Sequence, residues 1–200
     1  MGPMGEIVLA FPDPIPLMRH ERSTLLHGGL ATLKAAGHYE AYVAAAPRAV
    51  REEIESAVAG MWIPVETAVT HYLACDAIGL SSESAAQLGR GTFGRTKGLL
   101  LGTAIGLARG MGVTPLSYAP HLNRFWLRGF DGGGVQAIKT GPKELRLNVV
   151  GSPVLCSSYF RAALRGLTTG LFELVSHKVY VQEVPGGPPE TAISLRAQWV

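Results

Sequence analysis

Cysteine is scarce in this chain. Cys75 and Cys156 are the only two in 200 residues, too few for a disulfide scaffold. Charge is also sparse: Asp, Glu, Lys and Arg make up 16%, against about 25% in a typical globular domain. Apolar residues reach 47% and the mean hydropathy is +0.20, so the chain collapses and disorder is excluded for most of it. No stretch of about 18 uncharged apolar residues occurs, which argues against a membrane span. The first apolar run, Ile7–Phe11, is short, follows Glu6 and ends at Pro12, Pro14 and Pro16, unlike a signal peptide. With no disulfide framework, the expected compartment is the cytoplasm. The chain has no H-E-x-x-H, C-x-x-C or G-x-S-x-G, so zinc-protease, dithiol and hydrolase chemistry find no motif.

The net charge of +3 is unevenly spread. Residues 61–88 carry Glu66, Asp76 and Glu83 and no base, while residues 89–130 carry five Arg and Lys97 and no acid. Phe93, Phe125 and Trp126 lie in the basic stretch. That combination raises the question of nucleic acid, but there is no basic run and no DNA-binding motif. Solvated or internally paired arginines explain it more simply.

Proline at 3, 12, 14 and 16 makes residues 1–21 an extended arm, whose segment Ile7–Phe11 can add a strand to a sheet edge. From Ser23, a candidate cap, the spacing of Leu25, Leu26, Leu30 and Leu33 predicts a helix ending at Gly37. Short helices follow around Tyr42 and after Pro47. Trp62-Ile63-Pro64 opens a fourth, with an apolar stripe of Val65, Val69, Tyr72, Leu73 and Ala77. Ser81 or Ser82 caps another, running to about Gly89. Residues 97–109 predict a further apolar helix and His121–Phe130 a short one carrying Trp126. After Gly134 the period switches to two. Val135–Lys139, Glu144–Val150, Lys178–Val184 and Thr191–Trp199 read as strands, with an amphipathic helix over 157–175. The expectation is an α+β domain: an arm (1–21), a helical part (22–131) and a ββαββ part (132–200). The last is a four-stranded antiparallel sheet crossed by a long helix, and the whole forms one continuous globular domain.

Gly89-Arg90-Gly91-Thr92-Phe93-Gly94 fits G-x-G-x-x-G, but no strand precedes it and no V-A-I-K, H-R-D or D-F-G follows. It reads as a helix junction with close packing. Gly98, Gly102, Gly106 and Gly110 recur every four residues and give one helix a flat face. That face suits a neighbouring helix, or an apolar ligand. His71 and Cys75, four apart, share a helix face, but no further metal ligand sits at a telling spacing. The pair reads as packing.

The succession of Trp62-Ile63-Pro64-Val65-Glu66, the Leu88-Gly89-Arg90 step and Ser157-Ser158-Tyr159-Phe160-Arg161-Ala162-Ala163-Leu164-Arg165-Gly166 resembles a family of paralogous domains of unknown function expanded in myxobacteria. The resemblance covers residues 20–199. Through that family it extends to haem–nitric oxide/oxygen-binding domains, 4-vinyl-reductase-like ligand domains of bacterial regulators and TRAPP subunits. It implies helices leading into a sheet crossed by a helix, with an apolar ligand enclosed between them. The haem members use a proximal histidine and Y-x-S-x-R. Tyr159-Phe160-Arg161 departs from that spacing, so haem is not the expected group and no cofactor or metal is assigned.

The resulting expectation is a non-enzymatic sensory domain of signalling or regulation. It would hold a small apolar ligand between the 64–79 and 97–110 helices and the sheet, near His71, Tyr72, Gly102, Gly106 and Trp126. The alternative is a homodimerising interaction module that takes a protein partner and no ligand.

Overall fold

The computed structural model describes residues 5–101, 113–185 and 191–200, without the side chains of 97–101. The arm contributes β1 (Glu6–Leu9) and β2 (His20–Arg22). Helices α1 (Ser23–Ala35), α2 (Tyr39–Ala45) and α3 (Arg48–Ser56) follow, then β3 (Trp62–Pro64), α4 (Val65–Ala77) and α5 (Ser82–Leu101). The chain continues through α6 (Pro115–Tyr118), α7 (Leu122–Gly129), β4 (Gly134–Gly141), β5 (Glu144–Val150), α8 (Ser158–Phe172), β6 (Val179–Glu183) and β7 (Ala192–Trp199).

The class is α+β, as the periods predict. The four C-terminal strands pair in the order β4-β5-β7-β6, all antiparallel, and β1 adds a fifth strand beside β4. The sheet therefore has five strands rather than four. Alternation fixes its register. Leu147 faces Leu195, Val149 faces Ile193 and Leu145 faces Ala197, all buried on the helix side. On the other face Asn148 donates to Gln136 at 2.8 Å and Ser194 donates to Asn148 at 2.8 Å, a polar ladder on the side away from the core.

Helix α8 lies over the apolar face, capped by the Ser157 hydroxyl, which accepts from the Phe160 amide at 3.1 Å. It crosses α5 with the backbones in direct approach. A Cβ on Gly166 would stand 1.8 Å from the Ala86 carbonyl oxygen, and one on Gly89 would stand 2.0 Å from that of Ala163. This contact corrects the reading of residues 89–94. They are not a junction between two helices but the middle of α5, which runs on from Ser82. Close packing against α8 offsets what glycine costs a helix, roughly 0.5–1 kcal/mol each. The expected 97–109 helix is thus, at its start, a continuation of α5, and its remainder lies outside the described residues.

Two smaller corrections concern helix starts. Trp62–Pro64 does not open α4; it is strand β3, paired with β2. Ser23 does not cap α1 either. Its hydroxyl donates to the Val58 carbonyl at 2.9 Å and accepts from the Gly60 amide at 3.0 Å, which ties α1 to the turn before β3. Leu73, placed on the apolar stripe of α4, is exposed; the buried face carries Val65, Ala68, His71, Tyr72 and Cys75.

Candidate ligand-binding site

Helices α7 and α8 repeat the same spacing. Leu122, Phe125, Trp126 and Gly129 on one, and Leu164, Leu167, Thr168 and Leu171 on the other, fall at i, i+3, i+4 and i+7, one face of each helix. These two faces, with Leu25 of α1, Phe93 of α5, Phe130, Val135 of β4, Leu147 and Val149 of β5 and Leu195 of β7, line a cavity of about 110 Å3. Thr168 carries the one side-chain hydroxyl in this wall among the described residues, and that hydroxyl donates to the Leu164 carbonyl at 2.8 Å. The chamber therefore presents carbon. Trp126 is fixed within it: its Nε1–H donates to the Gly132 carbonyl at 2.8 Å, and its ring stacks on Phe130 at 4.1 Å.

A second, polar cavity of about 30 Å3 adjoins the first, sharing Leu25, Phe130 and Leu167 as walls. Its distinctive member is Glu21. The three-residue strand β2 alternates, leaving His20 and Arg22 partly exposed and turning Glu21 inward to 0% exposure. The strand is clamped from both sides. Glu21 pairs with Ile63 of β3 and forms a bridge with Phe130. Asp131 accepts from the Arg19 and His20 amides at 2.8 and 2.7 Å and contacts the His20 ring at 2.6 Å.

Glu21 Oε1 accepts from the Tyr72 hydroxyl at 2.5 Å, and Oε2 has no partner among the described residues. Burial pushes this carboxyl up to about 8, and the Tyr72 hydrogen bond opposes that rise only in part. At neutral pH Glu21 is thus mostly the neutral acid. The same burial raises the Tyr72 phenol well above its usual value. Next to it, His71 shares a hydrogen bond between Nδ1 and the Tyr42 hydroxyl at 2.9 Å, and its Nε2 stands 3.9 Å from the Cys75 sulfur. Burial lowers His71 to about 3 and raises the Cys75 thiol. All of these groups are neutral, so this corner is polar without being charged.

The structure places Trp126 in the wall of the apolar chamber. His71 and Tyr72 sit in the wall of the polar cavity. Gly102 and Gly106 lie outside the described residues. No group of three or more His, Cys, Asp or Glu side chains is arranged for a metal among the described residues. Sequence reading missed Glu21. Its one local signal is a carboxylate inside a short extended segment between two basic or partly basic neighbours, a pattern too brief to distinguish from a solvated loop. The chamber lies elsewhere than the expected place between the 64–79 and 97–110 helices and the sheet: α7 and α8 line it with the sheet, α4 supplies none of its described wall, and residues 102–110 lie outside the described residues.

No protein-family profile matches the chain, and no curated protein matches it in sequence. Solved structures do resemble it. An oxygen-binding H-NOX domain related to soluble guanylate cyclases, in its oxygen complex, gives a TM-score of 0.60 at 12% identity, covering 89% of this chain and 94% of that one. A mutant of the T. Tengcongensis H-NOX domain gives 0.60 at 13% identity, with 89% and 97% covered. A structure probing the function of haem distortion in the H-NOX family gives 0.59 at 13%, with 89% and 94% covered. Likeness at such identity speaks for the fold: this chain folds as H-NOX domains do.

Proposed function

We propose that the protein is a non-enzymatic sensory domain whose chamber takes a small apolar ligand. One observation carries the reading: a cavity in the joint between α7, α8 and the sheet whose described lining is almost entirely carbon. A dry apolar cavity of about 150 Å3 in another protein admits benzene or xenon. Most drug-sized ligands need about 300–1,000 Å3, so the occupant here is small. It would act by stabilising one packing of α7 and α8 on the sheet over others, a population shift set by its differential affinity. The Glu21–Tyr72 pair is an acid with a partner at hydrogen-bond reach, but its cavity of about 30 Å3 has no room for a substrate to turn over, which supports a binding role rather than catalysis.

The H-NOX likeness raises haem, and the side chains that line the chamber do not fit it. They are Leu, Phe, Trp, Gly, Val and Thr. Among the described lining residues none is an imidazole, thiolate or phenol to ligate iron, and none is a cation to pair with a propionate. His71 is engaged with Tyr42 and Cys75, and His121 is exposed at the start of α7. The reading is therefore haem-free.

Native mass spectrometry and an absorption spectrum of freshly purified protein test it. An adduct of low mass supports the proposal, and a Soret band refutes the haem-free form. Benzene supplies the direct assay. It should raise the Tm of the wild type and leave Leu167→Phe unmoved, because the larger ring fills the wall between the two cavities. A wild type that neither carries an adduct nor responds to benzene sinks the proposal.

A further inference from the structure

The buried carboxyl of Glu21 has one oxygen engaged and one idle. Tyr72 donates to Oε1, which makes Oε1 the carbonyl oxygen of the neutral acid and places the acid proton on Oε2. That O–H is a donor with no acceptor among the described residues. Native proteins rarely leave a buried polar group so, because its lost hydration is then uncompensated. Glu21 lines the polar cavity together with His71, Tyr72, Thr92, Tyr159 and Phe160 and their neighbours. None of these is a cation. Thr92 is turned away, its hydroxyl donating to the Leu88 carbonyl at 3.0 Å. The cavity meets the apolar chamber at Leu25, Phe130 and Leu167.

We propose that the chamber's ligand is an uncharged molecule with an apolar body and one hydrogen-bond-accepting head, a ketone, aldehyde or amide carbonyl, and that this head accepts from Glu21 Oε2. The inference rests on the chamber reading above and adds its polar end. A ligand carboxylate is disfavoured, because no cation among the described residues faces the site to offset its desolvation. An alcohol would bring a donor to a place that already supplies one. A pure hydrocarbon would fill the chamber and leave Oε2 idle.

The test uses an isosteric pair, cyclohexanone and methylenecyclohexane, in which C=O replaces C=CH2. Their affinities for wild type, Glu21→Gln and Glu21→Leu are measured by quenching of Trp126 fluorescence against a Trp126→Phe control. Water solvates the ketone better than the alkene, so the informative quantity is the ratio of the two affinities and how it changes. That ratio should fall roughly tenfold from wild type to Glu21→Leu, the share of one hydrogen bond. It should hold in Glu21→Gln, whose amide N–H still donates.

Infrared spectroscopy of the wild type alone gives a second readout. The bound carbonyl should absorb at lower frequency than in hexane, and this decides the matter even if Glu21→Leu does not fold. If both compounds bind and the ratio is the same in all three proteins, or the bound carbonyl keeps its hexane frequency, the Glu21 assignment is wrong while the chamber stands. Water alone then satisfies Oε2. If neither compound binds, the chamber reading falls and takes this inference with it.

Discussion

Glu21 and His71 should give the stability of this protein an unusual pH profile, and the two contributions have opposite signs. Glu21 is raised from 4.5 to about 8 by burial. Between those values the folded state holds a proton that the unfolded chain has released, so stability falls as pH rises, by up to about 1.4 kcal/mol per pH unit. Fully expressed, the loss is on the order of 5 kcal/mol. His71 is lowered from 6.5 to about 3, again by burial. Between those values the unfolded chain holds the extra proton, so stability rises with pH over that window. From 4.5 to 6.5 the two slopes cancel. Below 4.5 the histidine governs and stability drops with acid. From 6.5 to about 8 the carboxyl governs and stability drops with base.

Glu21→Gln keeps the volume and the hydrogen bond from Tyr72 but cannot ionise. Urea denaturation at pH 6.5 and 8.5 should show the wild type losing about 2 kcal/mol more than the variant. In thermal melts that corresponds to roughly 4–8 °C of Tm for a chain of this size. Comparing the two proteins cancels every other group that titrates there. Parallel lines for wild type and Glu21→Gln across pH 5–8.5 would refute the reasoning, because they would mean that Glu21 is solvated or ion-paired in solution.

Tyr72→Phe should cost about 1–3 kcal/mol. It should also move the alkaline fall to higher pH, since the lost hydrogen bond is what holds the Glu21 carboxyl down; a downward move would contradict the assignment. Gly166→Ala drives a Cβ to 1.8 Å from the Ala86 carbonyl and should destabilise by about 3 kcal/mol in urea. Gly29→Ala, with nothing within 4 Å, should be neutral or stabilise α1 by up to about 1 kcal/mol. Asp131→Ala removes the acceptor for the Arg19 and His20 amides, so hydrogen exchange at those two amides should quicken by at least tenfold while the amides of β5 stay protected.

What the sequence disclosed follows from the range of the forces involved. Strand alternation in Leu145–Val149 and Ile193–Ala197 is written residue by residue, and it predicted a sheet with one covered face. The amphipathic period of α8 is equally local. The path of α5 was not legible, because glycine at 89, 91 and 94 argues for a break and only the approach of the α8 backbone at Gly166 reverses that argument. The fifth strand was legible as a candidate but not as a partner of β4, since pairing at a separation of more than 100 residues leaves no trace in either segment. Glu21 was invisible for the same reason. What buries it is β3 on one side and Phe130 on the other, and neither is its neighbour in sequence. His71 and Tyr72 were singled out from helix face and polarity. Only the packed structure assigns them to the polar cavity and leaves the chamber to Trp126.

The contacts that hold the frame and the contacts that face the chamber are largely separate residues. Gly89 and Gly166 set the crossing of α5 and α8, and neither lines the chamber. Leu164, Leu167, Thr168 and Leu171 lie on the chamber side of α8. A fold so divided can change what it binds by exchanging lining side chains while its backbone stays in place. The same division gives a proposed ligand its leverage. Its apolar body would touch α7, α8 and the sheet, whereas its carbonyl head would touch β2, which is held by Asp131 and β3 rather than by the sheet. An occupant with both parts would bridge the sheet layer and the N-terminal strand pair, and a hydrocarbon would engage the first alone. Differential contact of that kind is what a population shift requires. Glu21 is thus the residue at which binding and signalling would be coupled, and Glu21→Leu should uncouple them while leaving methylenecyclohexane bound.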